Sequence, residues 1–140
     1  MRSLIRAMLA AALSFSPYVF AQTSDFQPNV TVIKDEIVYN VNADGTYTKD
    51  EFETDRINTD QAVKKYSQVG LRFSPSLEDR DVLEAYTTTA DGKRIDVAPD
   101  KIVVQQSAES ANAPMFDDNK LKVFIFPSVE VGSQVTIHER

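Results

Sequence analysis

The chain has 140 residues, 42% of them hydrophobic, with 15 basic and 21 acidic side chains, a net charge of −6 and no cysteine. That balance leaves no basic stripe on which a phosphate backbone releases counterions, which argues against nucleic-acid binding and against docking on an anionic membrane surface. Without cysteine there is no disulfide framework, no thiolate nucleophile and no thiolate metal site, so the fold must rest on a hydrophobic core.

Residues 1–21 read as an export signal. Arg2 and Arg6 make a positive start, an apolar stretch runs to Phe15, Pro17 breaks it, and Val19-Phe20-Ala21 suits a signal peptidase. The stretch falls short of the roughly 20 residues that span a bilayer; the alternative is a retained membrane anchor. Cleavage between Ala21 and Gln22 leaves Gln22–Arg140, 119 of the 140 residues. Two basic residues leave with the signal and no acidic ones do, taking the net charge to −8. The product is expected to be periplasmic or secreted, off the membrane, and one domain in size.

In chain order, residues 22–29 form a polar leader, expected to be flexible, and a β-sandwich domain is expected over 30–140. "KDEIVYNV" sets Ile37, Tyr39 and Val41 against Glu36, Val38 and Asn40, the period of a strand. Asp44-Gly45 then signals a hairpin turn, because glycine accepts positive φ without strain. The return strand "YTKDEFETDRI" keeps Tyr47, Phe52 and Ile57 as apolar members and is expected to expose one face. "NTDQAVKKYSQVG" predicts one short helix near residues 59–66. Thr59 or Asn58 caps it, Asp60 suits its first turn, Lys64 and Lys65 its last, and Gly70 its left-handed stop.

A second hairpin repeats the first. Asp91-Gly92 sits between a strand with Val82, Leu83 and Tyr86 and one with Ile95 and Val97. Pro99-Asp100 predicts a turn, "KIVVQQ" a strand, and "SAESANAP" a flexible loop. "LKVFIFP" and "SQVTIH" are two more strands around a turn holding Gly132. One small helix and about seven strands argue for an all-β fold, an antiparallel β-sandwich.

Chemistry is sparse. Asp117-Asp118-Asn119 stands before an apolar run, but calcium needs six to eight oxygens at ordered spacing, and Asp and Asn are sufficient as turn residues there. His138, the single histidine, is expected to face solvent on a terminal strand, a poor seat for a catalytic triad. Glu78-Asp79 and Asp50-Glu51 are adjacent carboxylates of the kind found on exposed strand faces. Only four glycines are present, all near expected turns, so no phosphate cradle exists. Asn29-Val30-Thr31 is a glycosylation sequon in a eukaryotic setting. No cofactor and no metal is expected.

Taken together, "YNVNADGTYT", "EAYTTTADGKRIDV" and "APMFDDNKLKVFIFPSVEVGSQV" resemble a bacterial exported family, the domain of unknown function found at the N-terminus of transglutaminase-like proteins. The matching features fall on Tyr39, Asp44, Gly45 and Thr46, on Ala85, Tyr86, Asp91, Gly92 and Lys93, and on Asp118, Lys120, Phe126, Pro127, Gly132 and Ser133. The resemblance implies a β-sandwich accessory domain followed by a papain-like core with a Cys-His-Asp set. It also implies that the sandwich is incomplete at its C-terminal end here, since the family's fold continues for several more strands. With no cysteine, the activity carries over to no residue of this chain. The expectation is therefore a non-catalytic exported module that packs on a transglutaminase-like domain or another envelope protein, or presents substrate to it. The alternative is a free-standing envelope module binding a glycan or peptide through Tyr39, Tyr47, Tyr66 and Tyr86. A third reading, an independent hydrolase, rests on the acidic residues alone.

Overall fold

The computed structural model describes residues 26–107 and 118–140. The export signal, the Ala21/Gln22 cleavage site, most of the leader, residues 108–116 and the turn residue Asp117 lie outside the described residues.

The described chain forms β1 (Val30–Val41), β2 (Tyr47–Ile57), α1 (Asp60–Tyr66), β3 (Gln68–Phe73), β4 (Val82–Thr88), β5 (Arg94–Asp96), β6 (Ile102–Gln106), β7 (Lys120–Ile125) and β8 (Gln134–Glu139), with a 3-10 turn at Pro99–Lys101. All pairings are antiparallel, in a five-stranded sheet ordered β1-β2-β8-β4-β5 and a three-stranded sheet ordered β3-β7-β6. Ile57, Ala85, Val135 and Ile137 of the larger sheet meet Phe124 and Phe126 and the helix residue Ala62 in one core. The fold is all-β and sandwich-like, as the turn spacing predicts.

Both hairpins carry the same turn. Asn42 N–H donates to Thr46 C=O at 2.8 Å and Gly45 N–H to Asn42 C=O at 3.1 Å. Thr89 N–H donates to Lys93 C=O and Gly92 N–H to Thr89 C=O, both at 2.9 Å. Each aspartate braces its own turn: Asp44 accepts from Thr46 N–H and hydroxyl, and Asp91 from the Thr89 hydroxyl. Those threonine bonds hold both carboxyls below their ordinary value. Gly45 and Gly92 sit at φ +88° and +87°, and Gly132 at +92°. Helix α1 starts at the Thr59 cap, whose hydroxyl accepts from Ala62 N–H at 3.3 Å.

Two expectations need correction. Gly70 does not stop the helix, which ends at Ser67 in right-handed geometry. It lies within β3 opposite Val123, and a Cβ there would meet Leu121 Cδ1 at 3.1 Å. The space that glycine leaves is filled by Leu121 across the strand pair. The two strands expected around Gly132 are both present, β7 in the small sheet and β8 in the large one, so the turn between them crosses the core. Second, β8 is not peripheral. It lies between β2 and β4, pairing both, and His138, on its outer face, is half-buried rather than fully exposed.

Nothing lies within 4 Å of a Cβ built on Gly45 or Gly92, so substitution there meets only the backbone penalty. Gly45→Ala is expected to cost about 1 kcal/mol, and Gly45→Asn less, because asparagine tolerates the left-handed region. Urea denaturation measures both; an alanine variant as stable as the parent would remove the turn's claim on glycine.

Candidate functional site

Strand geometry sends alternate residues of β2 to opposite faces. Lys49, Glu51, Glu53, Asp55 and Ile57 therefore share one face, and the register sets Glu51 opposite Glu139, Glu53 opposite Ile137 and Asp55 opposite Val135. Val135 and Ile137 belong to the core, so this acidic row points into the space between the sheets. Only the Ile57 end of the row is apolar and closed, by α1.

The row is held by a small set of partners. Tyr66 on α1 hydrogen-bonds Asp55; its own burial, reinforced by that carboxylate, pushes its hydroxyl well above the ordinary tyrosine value. Lys49 pairs with Glu51. Arg80, in the segment before β4, reaches Glu139 Oε1 at 3.0 Å and Glu78 at 3.8 Å, and Lys122 of β7 donates to the Arg80 carbonyl. The Glu139 side chain is only 8% exposed, and burial raises its carboxyl above the ordinary value although Arg80 opposes the shift. Glu53 is raised as well, although the residue is exposed: partial desolvation acts together with the like charges of Asp55, Asp35 and Glu51.

Two buried carboxylate oxygens, Asp55 Oδ1 and Glu139 Oε2, have no hydrogen-bond partner. Two adjoining cavities open beside Glu139, while Asp55 lines neither. The larger, about 470 Å³, runs from the β1–β2 turn past Tyr47 and Leu77 to Arg80 and Glu139. The smaller, about 90 Å³, reaches between Leu71 of β3 and Ile137 of β8 and shares Glu51, Arg80 and Glu139 with the first. The chemistry on offer is acceptance of a positive, hydrogen-bond-donating group.

The residues singled out by sequence are divided between this cleft and the rest of the fold. Asp118 accepts from the Ser74 and Ser76 hydroxyls and from Ser76 N–H at 3.2 Å, so its carboxylate ties down the β3–β4 connection. Asp50 and Glu51 diverge: Asp50 turns to the outer face, 3.0 Å from Arg140 and 3.9 Å from His138, while Glu51 turns inward. His138 packs edge-on against Phe52, ring centroids 5.4 Å apart, on that outer face. Glu78 and Asp79 line the cleft mouth. Among the described residues no group of three or more His, Asp or Glu side chains is placed to hold a metal, and no helix is long and apolar enough to cross a membrane. The signal that marks the cleft was present in the sequence: K-x-E-x-E-x-D-x-I is strict period-two acidity running into the buried Ile57.

The comparisons agree with this architecture. Residues 43–138 match the family model described as Domain of Unknown Function with solved-structure structure (DUF3857). A comparison with curated proteins gives no match. Among solved structures, the chain superposes with a TM-score of 0.73 and 18% identity on a protein titled a "putative protease" from Parabacteroides distasonis. The alignment covers 79% of this chain and 22% of that one, so the chain spans about a fifth of the neighbour's length. That likeness establishes the fold.

The raised Glu53 carboxyl carries a stability consequence. A group whose folded pKa lies above its unfolded value stabilises the fold while protonated, and that contribution is lost as pH rises through the folded pKa. Glu53→Gln is therefore expected to stabilise by roughly 0.5 kcal/mol at pH 7, where like charges repel across the row, and to change nothing at pH 3.5. Thermal unfolding at the two pH values checks this; equal effects at both would show that Glu53 is not repelled.

Proposed function

As the chain belongs to the DUF3857 family, we propose that it is a non-catalytic exported accessory module. It packs on, or presents substrate to, a catalytic partner such as a transglutaminase-like domain or another envelope protein. One observation carries this reading. Ile37, Tyr39, Val41 and Tyr47 lie on the same face of the large sheet as the core, by their register with Glu51 and Lys49, yet they are between 46% (Ile37) and 70% (Val41) exposed. The three-stranded sheet covers the middle of its larger neighbour and leaves the β1–β2 hairpin bare. A contiguous apolar patch on the face that forms the core elsewhere is the surface a partner covers. The absence of cysteine is consistent with chemistry supplied from outside the module.

The glycan-binding alternative required the tyrosines to share an outer face, and they do not. Tyr39 and Tyr47 pair on the hairpin with centroids 5.6 Å apart. Tyr66 packs against the core from α1, and Tyr86 lies under the Arg94 guanidinium at 3.7 Å.

Photo-crosslinking tests the reading. Benzoylphenylalanine placed at Tyr39 or Val41, and at Thr88 on the opposite face, is introduced into the protein in its own cell envelope. The expected result is an adduct from the hairpin positions alone, to a polypeptide that carries a catalytic domain, while the purified chain hydrolyses no peptide or amide substrate. Equal labelling from Thr88, or turnover by the purified chain, would sink the proposal.

A further inference from the structure

Deepening that reading and resting on it, we infer that the cleft between the β1–β2 hairpin and the β3–β4 connection is a receptor for a lysine or arginine side chain. The partner delivers it on an extended segment lying over the β1–β2 hairpin, with the charged head seated against Glu139 and an adjacent apolar residue on Tyr47.

The argument starts from Glu139. Its side chain is more than nine-tenths buried, one carboxylate oxygen is bound by Arg80, and the other, Oε2, lacks any partner while the residue lines both cavities. A buried carboxylate oxygen left unmatched costs on the order of 1–3 kcal/mol, so the site gains most from a donor. An anion is unsuited: Lys49 is paired with Glu51 and Arg80 with Glu139 and Glu78. A metal is unsuited because no group of three ligating side chains converges there among the described residues. A charged nitrogen supplies the missing bond and offsets the repulsion among Glu51, Glu53 and Glu139, and charge-assisted bonds are the strong ones.

The shape selects a side chain on a peptide over a free cation. The lining joins the buried Glu139 to two exposed apolar side chains, Tyr47 at 62% and Leu77 at 86%, with Glu78 and Asp79 beside them. A buried carboxylate within reach of exposed apolar surface suits the charged head and apolar stem of lysine or arginine. The mouth opens directly onto the bare hairpin face, where Tyr39 and Tyr47 stack. An extended segment that follows a strand presents alternate side chains to that surface. The chain's own net charge of −6 favours encounter with a basic partner over association with a second copy.

The test uses the whole chain and three acetylated, amidated hexapeptides that alternate valine with lysine, glutamine or glutamate, titrated calorimetrically and by amide NMR shifts. The lysine peptide is expected to bind at least tenfold more tightly than the glutamine peptide, with no binding by the glutamate one, and to shift amides of residues 45–51, 77–81 and 137–140. Glu139→Gln is expected to remove that preference, while Glu84→Gln, whose parent side chain pairs with Arg94 on the outer face, leaves it intact. Should Glu139→Gln fold poorly by circular dichroism, Glu51→Gln with Tyr47→Ala gives the same readout. Equal binding of lysine and glutamine peptides, shifts confined to the outer face, or dimerisation that competes with the peptide would overturn the inference. Hairpin crosslinks that persist without any lysine preference would overturn it too, yet leave the accessory-module reading standing.

Discussion

The junction of β2 with β8 sets everything else in the larger sheet. Ile57 donates its N–H to Ser133 C=O at 2.9 Å and accepts from Gly132 N–H at 2.8 Å, which fixes where the two strands begin to pair. Gly132 reaches that position at positive φ, and the Ser133 hydroxyl closes the turn onto Glu130 C=O at 2.7 Å. A slip of one residue would send Val135 and Ile137 outward and His138 inward. The same register decides that Glu51 faces Glu139 and that the acidic row opens into the inter-sheet space. Core and cleft are therefore two consequences of one pairing.

Much of this was legible in the residues, for reasons that are local. Asp44-Gly45 and Asp91-Gly92 announce their turns because the needed backbone conformation, and the aspartate that braces it, lie within five residues. Thr59 marks its helix because the cap is made to Ala62 three residues on. What stayed hidden was non-local. Gly70 looks like a helix stop because the reason for a glycine there is Leu121, about fifty residues away and on another strand. Asp118 looks like a self-contained turn residue, whereas its hydrogen bonds go to Ser74 and Ser76. His138 looks terminal by number and is interior by topology.

The acidic row shows a different limit. Its alternation was visible, but alternation says only that these side chains share a face, not which face. An exposed row is the usual outcome, because unpaired buried carboxylates are costly. Here Ile57 at its far end is fully buried and drags the whole period inward. The polar cost falls mainly on the raised Glu53 and Glu139 carboxyls.

The molecule accordingly divides its interior between two tasks. At the α1 end, Ile57, Ala62, Phe124, Phe126, Val135 and Ile137 exclude water and supply the folding free energy. At the hairpin end the large sheet and the β3–β4 connection enclose carboxylates, the Arg80 clamp and exposed tyrosines, an arrangement that well-packed apolar residues of similar volume would outdo for stability. Strand β1 makes the asymmetry plain. It runs twelve residues along β2 with almost every side chain exposed, ordered by backbone pairing rather than by burial. A strand of that length, carrying Val32, Ile37, Tyr39 and Val41 into solvent at an open sheet edge, is an aggregation liability unless something covers it. The liability and the unmatched Glu139 oxygen lie at the same end of the fold, and the basic, extended segment proposed above would answer both.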